Sequence, residues 1–335
     1  MLTLLLVSIP LLLLLNLALG SVSIPFPDVM GIIMGSGSGD EAAVWHSIVM
    51  RTRLPQALTA IGCGAGLSAA GLLMQTVFRN PLAGPSVLGI SSAASLGVAC
   101  VVMLSGIVGG GLMGHFGLVG NTTLTLAAVA GALVVMALML HLSNRIQGKA
   151  TLLIVGVMIG YIASAIVGVM KYFSPEEDVH AYVIWGLGSF ARVTGGQVYL
   201  FCILTLVLLP LALLLAPQLN VLQLGDMYAE SLGVNVRRIR TLAIAVAGTL
   251  TAIVTAYCGP IMFIGLAVPH ICRGLFRTSD HRILLPATIL CGASLALLCN
   301  IIARLPGMDG ALPINSVTAL IGAPITLRVL LKRNK

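Results

Sequence analysis

Lys149 is the first place in this chain where residue type and spacing suggest chemistry. With Gly148 before it, it approaches the Gly-Lys-Ser/Thr end of a phosphate-binding loop, in which backbone N–H groups cradle phosphates, the lysine answers their charge and the hydroxyl holds Mg. Two parts of that loop are missing: Ala150 stands where the hydroxyl is required, and Ser143 where the first glycine is required. No ATP site is encoded here. His180 lies close to Glu176 and Glu177 and could help to hold a metal, but no second His or Cys stands near it, and a solvated histidine is the plainer reading. His270 follows Pro269 in FIGLAVPHICRGLF; it could titrate or bind a ligand, and a hydrogen-bonded histidine at a helix end is the alternative. The 7 cysteines (63, 100, 202, 258, 272, 291 and 299) are scattered through apolar stretches without a CxxC pair. They read as small hydrophobes, with neither a disulfide framework nor a zinc site.

The elements that must position these residues are written in the composition. The chain is 58% apolar and 8% charged, where soluble domains carry roughly a quarter charged residues. No Asp, Glu, Lys or Arg occurs in 54–78, 80–144, 152–170, 193–225, 241–272, 283–303 or 310–327. At ~20 residues per helical span, these windows and the run Leu2 to Leu19 hold about ten spans. The expected fold is all-α and polytopic. The opening run lacks the basic region of a secretory signal and reads as the first span. The 38 glycines and few aromatics suit closely packed helices better than a barrel. Gly62, Gly66 and Ala70, one helical turn apart, are the expected packing face of the second span, which begins at RLPQALTA. Pro81 and Pro85 break the chain into a turn after it.

Charge orients the spans. An even number places both termini on one side, and Lys332, Arg333 and Lys335 make that side cytoplasmic. The same side collects Arg79, Arg145, Lys149, Arg237, Arg238, Arg240, Arg273, Arg277, Arg282 and Arg328. The opposite side collects Asp28, Asp40, Glu41, Glu176, Glu177, Asp178 and Asp309, with Trp185, Tyr172 and Tyr182 as an interfacial belt. The net charge of +8 thus reports orientation and contact with anionic lipid, and gives no reason to invoke nucleic acid. Within the spans there are no carboxylates for a proton- or sodium-coupled carrier, and no nucleophile and base for a membrane protease. Energy has to come from elsewhere.

One polar insert, Pro217 to Arg240, separates two apolar runs. Asp226 can cap a helix by accepting a backbone N–H, and Gly233 can take the left-handed position that closes it after Met227 to Leu232. So short a helix is not stable alone. It is either a solvated loop helix or a segment held by flanking spans or a partner.

Six blocks, in order from the second span to the end, carry a family resemblance: RLPQALTA, SAAGLLMQTVFRNPLAGPSVLGISSAASLG, LQLGDMYAESLGV, GPIMFIGLAVPHICR, DHRILLPATILCGASLALLCNIIAR and LPINSVTALIGAPITL. Together they resemble the FecCD-type permease subunits of bacterial ABC importers for iron-siderophores, haem and cobalamin. The resemblance implies a type II ABC importer permease fold of ten spans in one transmembrane domain, residues 1–335, with its coupling segment at 217–240. It implies a transport subunit rather than an enzyme, in the bacterial inner membrane with both termini cytoplasmic. It further implies a homodimer, two copies of a cytoplasmic ATP-binding subunit that hold the ATP and Mg, and a periplasmic substrate-binding protein. No cofactor is expected on this chain. The matching coupling helix is Asp226, Met227, Tyr228, Ala229, Glu230, Ser231, Leu232 and Gly233. The arginines that meet the binding protein match Arg53 and Arg304; Gln56 replaces the second arginine of the RLPR motif, and Arg51 stands nearby as its substitute. The cytoplasmic gate matches Gly148, Lys149, Ala150 and Thr151, with Lys149 and Ala150 in place of small hydroxylated residues. Met158, Tyr161, Met170 and Tyr172 in or near the fifth span would suit a flat apolar cargo such as haem.

Overall fold

In lipid every backbone polar group must find its partner within the protein, so a chain this apolar is driven to helix. The computed structural model describes residues 1–335 except 21, 23, 36–39, 108–117, 147, 306–310 and 334–335. Asp309 and Lys335, two of the charges that mark the topology, therefore lie outside the described residues. Fifteen α-helices follow in chain order: α1 (Leu2–Ala18), α2 (Phe26–Ile33), α3 (Asp40–Ile48), α4 (Leu54–Val77), α5 (Ile90–Ile107), α6 (Leu118–Ser143), α7 (Lys149–Phe173), α8 (Glu176–Gly186), α9 (Gly196–Leu214), α10 (Ala216–Leu224), α11 (Asp226–Ser231), α12 (Val236–Cys258), α13 (Ile264–Phe276), α14 (His281–Ala303) and α15 (Ile314–Arg333). Among the described residues there is no strand. Six helical runs among the described residues are long and apolar enough to cross a membrane: residues 43–77, α6, α7, α9, α12 and α14. The shorter apolar helices α1, α5 and α13, together with α15, bring the apolar helices to the expected ten.

Two spans differ from expectation. The second starts well before RLPQALTA, because helix is continuous from α3 through a π turn, Val49–Arg53, into α4. Pro55 explains the turn: it lacks the N–H for the preceding helical bond and its ring crowds the carbonyl four residues back, so the backbone widens to pass it. The eighth is only the 13-residue α13, about 20 Å long at 1.5 Å per residue. It is preceded by a non-helical stretch that leaves α12 at Gly259 (φ 80°) and enters α13 at Phe263 (φ 67°).

The centre of the bundle is α4, almost wholly buried, packed against α9, α12, α13 and α14. Its tightest approaches do not fall on the expected Gly62–Gly66–Ala70 face. A Cβ on Gly66 would meet Leu250 and Val254 at an ordinary 3.5 Å, and one on Gly62 would meet the Phe201 ring. Backbone meets backbone instead at Gly64, whose Cβ would lie 2.1 Å from the Gly292 carbonyl of α14, and at Gly71, 1.7 Å from the Gly265 carbonyl of α13. Trp185, expected in an interfacial belt, is buried under the Arg192 guanidinium, because α8 folds back on the bundle. Tyr172 is exposed, and Tyr182 lies under the Lys171 ammonium at 4.6 Å. His270 sits in the middle of α13 rather than at a helix end and contacts the Pro81 carbonyl at 2.8 Å. His180 is exposed.

Candidate functional site

The insert folds as two short helices, α10 and α11, joined at Gly225. That residue's φ of 127° lies where only glycine is at ease, and it lets the chain turn sharply between them. Gly233 closes α11 as expected. At φ 79°, its N–H reaches the Glu230 carbonyl at 2.9 Å and the Val234 N–H reaches the Ala229 carbonyl at 3.0 Å, the paired bonds of a Schellman cap. At the other end the expectation fails. Gly225, not Asp226, is the cap residue, and no side chain caps the helix.

Asp226 is the first helical residue, and its carboxylate is drawn away by cations from three other elements. Oδ1 accepts from Lys149 Nζ at 2.7 Å and from Arg79 Nη2 at 3.4 Å, and Oδ2 accepts from Arg240 Nη2 at 3.2 Å. Burial pushes the Asp226 carboxyl up. The Lys149 hydrogen bond and the charges of Lys149, Arg79 and Arg240 outweigh that and hold it below the ordinary carboxylate value. Arg79, itself at φ 48°, also donates to the Leu222 carbonyl at 2.6 Å, satisfying the last turn of α10. The Asn235 side chain accepts from the Arg238 N–H and caps α12 where the insert rejoins the bundle.

A second polar network holds α10. Asn220 donates to Asp280 at 2.6 Å and accepts from the His281 N–H at 2.8 Å, while His281 contacts Gln223 at 3.0 Å and Thr76 at 2.7 Å. The sequence analysis missed this network. Its one visible signal was Asp280 ahead of the apolar run, which caps α14 through the Arg282 N–H. With both ends tied down, α11 turns Ala229 inward and presents Met227 (87% exposed), Tyr228 (65%), Glu230 and Leu232 to the outside. Beside it lies a cavity of about 390 Å³ lined by Ser143, Asn144, Arg145, Glu230, Arg237 and Arg240, among others.

The structure therefore joins two groups that the sequence kept apart, the 226–233 segment and the start of α7 at Gly148–Thr151. Gly148 is the residue before α7, Lys149 its first residue, and Ala150 is exposed in the first turn. At the opposite end the Arg53 and Arg304 guanidinium groups meet around Gly20, whose Cβ would lie 3.0 Å from each. Arg53 is buried, and its guanidinium donates to the carbonyls of Leu17 (2.6 Å), Ala18 (2.9 Å) and Val22, closing the C-terminal end of α1. Gln56 is buried as well, Arg304 is half-buried, and Arg51 is exposed. Among the described residues, no group of three His, Cys, Asp or Glu could hold a metal.

Comparison with known proteins places this arrangement. Residues 5–332 match the FecCD transport family. The chain belongs to that family. The vitamin B12 import system permease protein BtuC of Escherichia coli O127:H6 is 38% identical over 287 residues, covering 86% of this chain and 84% of BtuC. BtuC of Shigella sonnei matches to the same extent. Among solved structures, a metal-chelate type ABC transporter in an inward-facing conformation superposes with a TM-score of 0.84 at 30% identity, covering 99% of this chain and 98% of that one. PsaBC from Streptococcus pneumoniae, at TM-score 0.53 and 16% identity over 90% of this chain and 95% of that one, shares the fold alone. The all-α architecture is thus the type II ABC importer permease fold. This FecCD-family chain is a transport permease subunit, not an enzyme.

Proposed function

We propose that this chain, as one permease domain of residues 1–335, is the membrane-spanning subunit of an ATP-driven importer that carries a chelated metal compound from periplasm to cytoplasm by alternating access in a homodimer. Two copies of a separate ATP-binding subunit hold the ATP and Mg and dock beneath it, a periplasmic binding protein delivers the cargo, and this chain binds no cofactor. Both termini are cytoplasmic. The observation that carries this reading is α11. It is a capped helix of under two turns, clamped at its base and displaying Met227, Tyr228 and Leu232, an apolar face too small to fold alone and well shaped for a cleft on a partner. ATP binding draws the two ATPases together, α11 moves with them, and α7 and α15 of each copy change the side to which the central path opens. Gly148, Lys149, Ala150 and Thr151 form the gate at the start of α7. At the outer face Arg51 and Arg304 are the better-placed contacts for the binding protein.

The cargo class is iron-siderophore, haem or cobalamin, and similarity to the vitamin B12 permease favours cobalamin. Proteoliposomes holding this chain, its ATPase and its binding protein should take up labelled cobalamin only with ATP inside, and should take up haem and a ferric siderophore less well. Uptake that proceeds without the ATPase would rule the reading out. In the same assay Gly233→Pro, which cannot adopt the φ of 79° that ends α11, should abolish uptake while the permease still folds.

A further inference from the structure

We infer that the Lys149–Asp226 ion pair is the linkage through which displacement of α11 reaches the cytoplasmic end of α7. This rests on the reading of α11 as the ATPase-docking helix and adds how its movement is passed on. Asp226 joins a fixed side to a movable one: Oδ1 accepts from both Lys149 and Arg79, and Oδ2 from Arg240. Arg240 belongs to α12 and Arg79 follows α4, the two most buried spans. Lys149 is the first residue of α7, a span with most of its surface exposed, which packs chiefly on α5, α6 and the turn Pro85–Leu88. The shortest of the three contacts, 2.7 Å, is the one to the peripheral helix, and the Lys149 side chain is only 19% exposed. Gly148 offers no side chain to anchor the start of α7, so Lys149 supplies the direct side-chain tie between α7 and α11.

The charge count gives the device two states. Three cations converge on one carboxylate, so they stay together only while Asp226 stands between them. When α11 carries Asp226 away, Lys149 is left facing Arg79 and Arg240 with no counter-charge, in a partly desolvated place where like charges repel more strongly than in water. The start of α7 is attracted to the insert in one state and repelled from α12 in the other. A polar uncharged residue at position 149 could supply the attraction but not the repulsion.

The test uses the reconstituted complex of permease, ATPase and binding protein, and reads cargo taken up per ATP hydrolysed. Lys149→Met keeps length and removes charge; it should lower that ratio at least fivefold, and Lys149→Arg should restore most of it. Asp226→Asn, which also gives up its pairs with Arg79 and Arg240, should lower the ratio at least as far, and Lys149→Met/Asp226→Asn should be no worse than Asp226→Asn alone, because the shared contact is already lost. A wild-type ratio in Lys149→Met, or single effects that multiply in the double variant, would overturn the linkage. Should Lys149→Met fail to assemble, Asp226→Asn with Asp226→Glu as its rescue carries the same test. The underlying reading is tested separately by Met227→Ala/Tyr228→Ala on the exposed face. If that pair leaves ATPase assembly intact, α11 is not the docking helix; if it abolishes assembly while Lys149→Met transports normally, only the linkage fails.

Discussion

Asp226 illustrates how a residue can be found in a sequence for the wrong reason. Position, an acid before a short helix, suggests that Asp226 is a cap, but a cap needs only a backbone N–H, whereas three cations within 3.4 Å offer far more to a carboxylate. Those cations come from positions 79, 149 and 240, and no local pattern joins them. The consequence is a defined pH response. Because the folded Asp226 carboxyl is held below its ordinary value of 3.8, its stabilisation is fully present above that value and is lost only as pH falls through the lower folded one. With the side chain 36% exposed, solvent screening keeps the contribution on the order of 1 kcal/mol. The melting temperature of wild type in detergent should therefore exceed that of Asp226→Asn by a constant margin from about pH 8 to pH 5, closing only below about pH 4. Arg53 matches the docking motif, and its guanidinium also closes the end of α1. Arg53→Met leaves buried carbonyls unpaired and should cost about 1–3 kcal/mol in a thermal melt. Arg51→Glu, at an exposed site, should leave the melt unchanged and instead weaken binding-protein affinity in a salt-dependent manner.

At the scale of elements, the runs of apolar residue were legible because lipid permits little but helix, and Gly233 was legible because a left-handed residue at a helix end is a local requirement. Which glycines carry the packing was not legible. Small residues at 62, 64, 66, 70 and 71 cover several faces of α4, and the choice among them depends on where α13 and α14 cross, a tertiary fact. The difference is measurable. Gly71→Ala would place a methyl group 1.7 Å from the Gly265 carbonyl, and since backbone cannot step aside cheaply it should destabilise by about 1–3 kcal/mol. Gly66→Ala meets its nearest side chains at 3.5 Å. It should be neutral or slightly stabilising, since alanine is the better helix former by about 1 kcal/mol. Equal melting temperatures for the two variants would mean that α4 does not approach α13 as described.

For the whole molecule the parity of the crossings decides whether the insert shares a face with the C-terminal end, and that depends on the discontinuous eighth span. Its start is level with the acidic side: the Cys258 carbonyl accepts from the Ser189 N–H just beyond α8, whose first turn holds Glu176, Glu177 and Asp178. Its end is level with the basic side. Arg273 donates to Gln75 near the end of α4 at 2.6 Å, and His281 at the head of α14 meets Thr76 and the α10 network. The helix of about 20 Å, together with some five residues at up to ~3.3 Å each, covers the ~30 Å hydrocarbon core. The non-helical part is tolerable because it finds partners within the protein: Met262 donates its N–H to Asn315 at the head of α15, and Phe263 packs so closely on Gly322 that a side chain there has no room. On the proposed topology the short helix completes a crossing, so that the number of spans is even and α11 shares a face with the end of the C-terminal helix. A membrane-impermeant maleimide should label Glu177→Cys in intact spheroplasts, and should label Met227→Cys and Arg277→Cys only after permeabilisation, all three positions being exposed. If Arg277→Cys labelled together with Glu177→Cys, α13 would not cross. The two ends of the chain would then lie on opposite faces, and α11 would have to be reassigned relative to one of them.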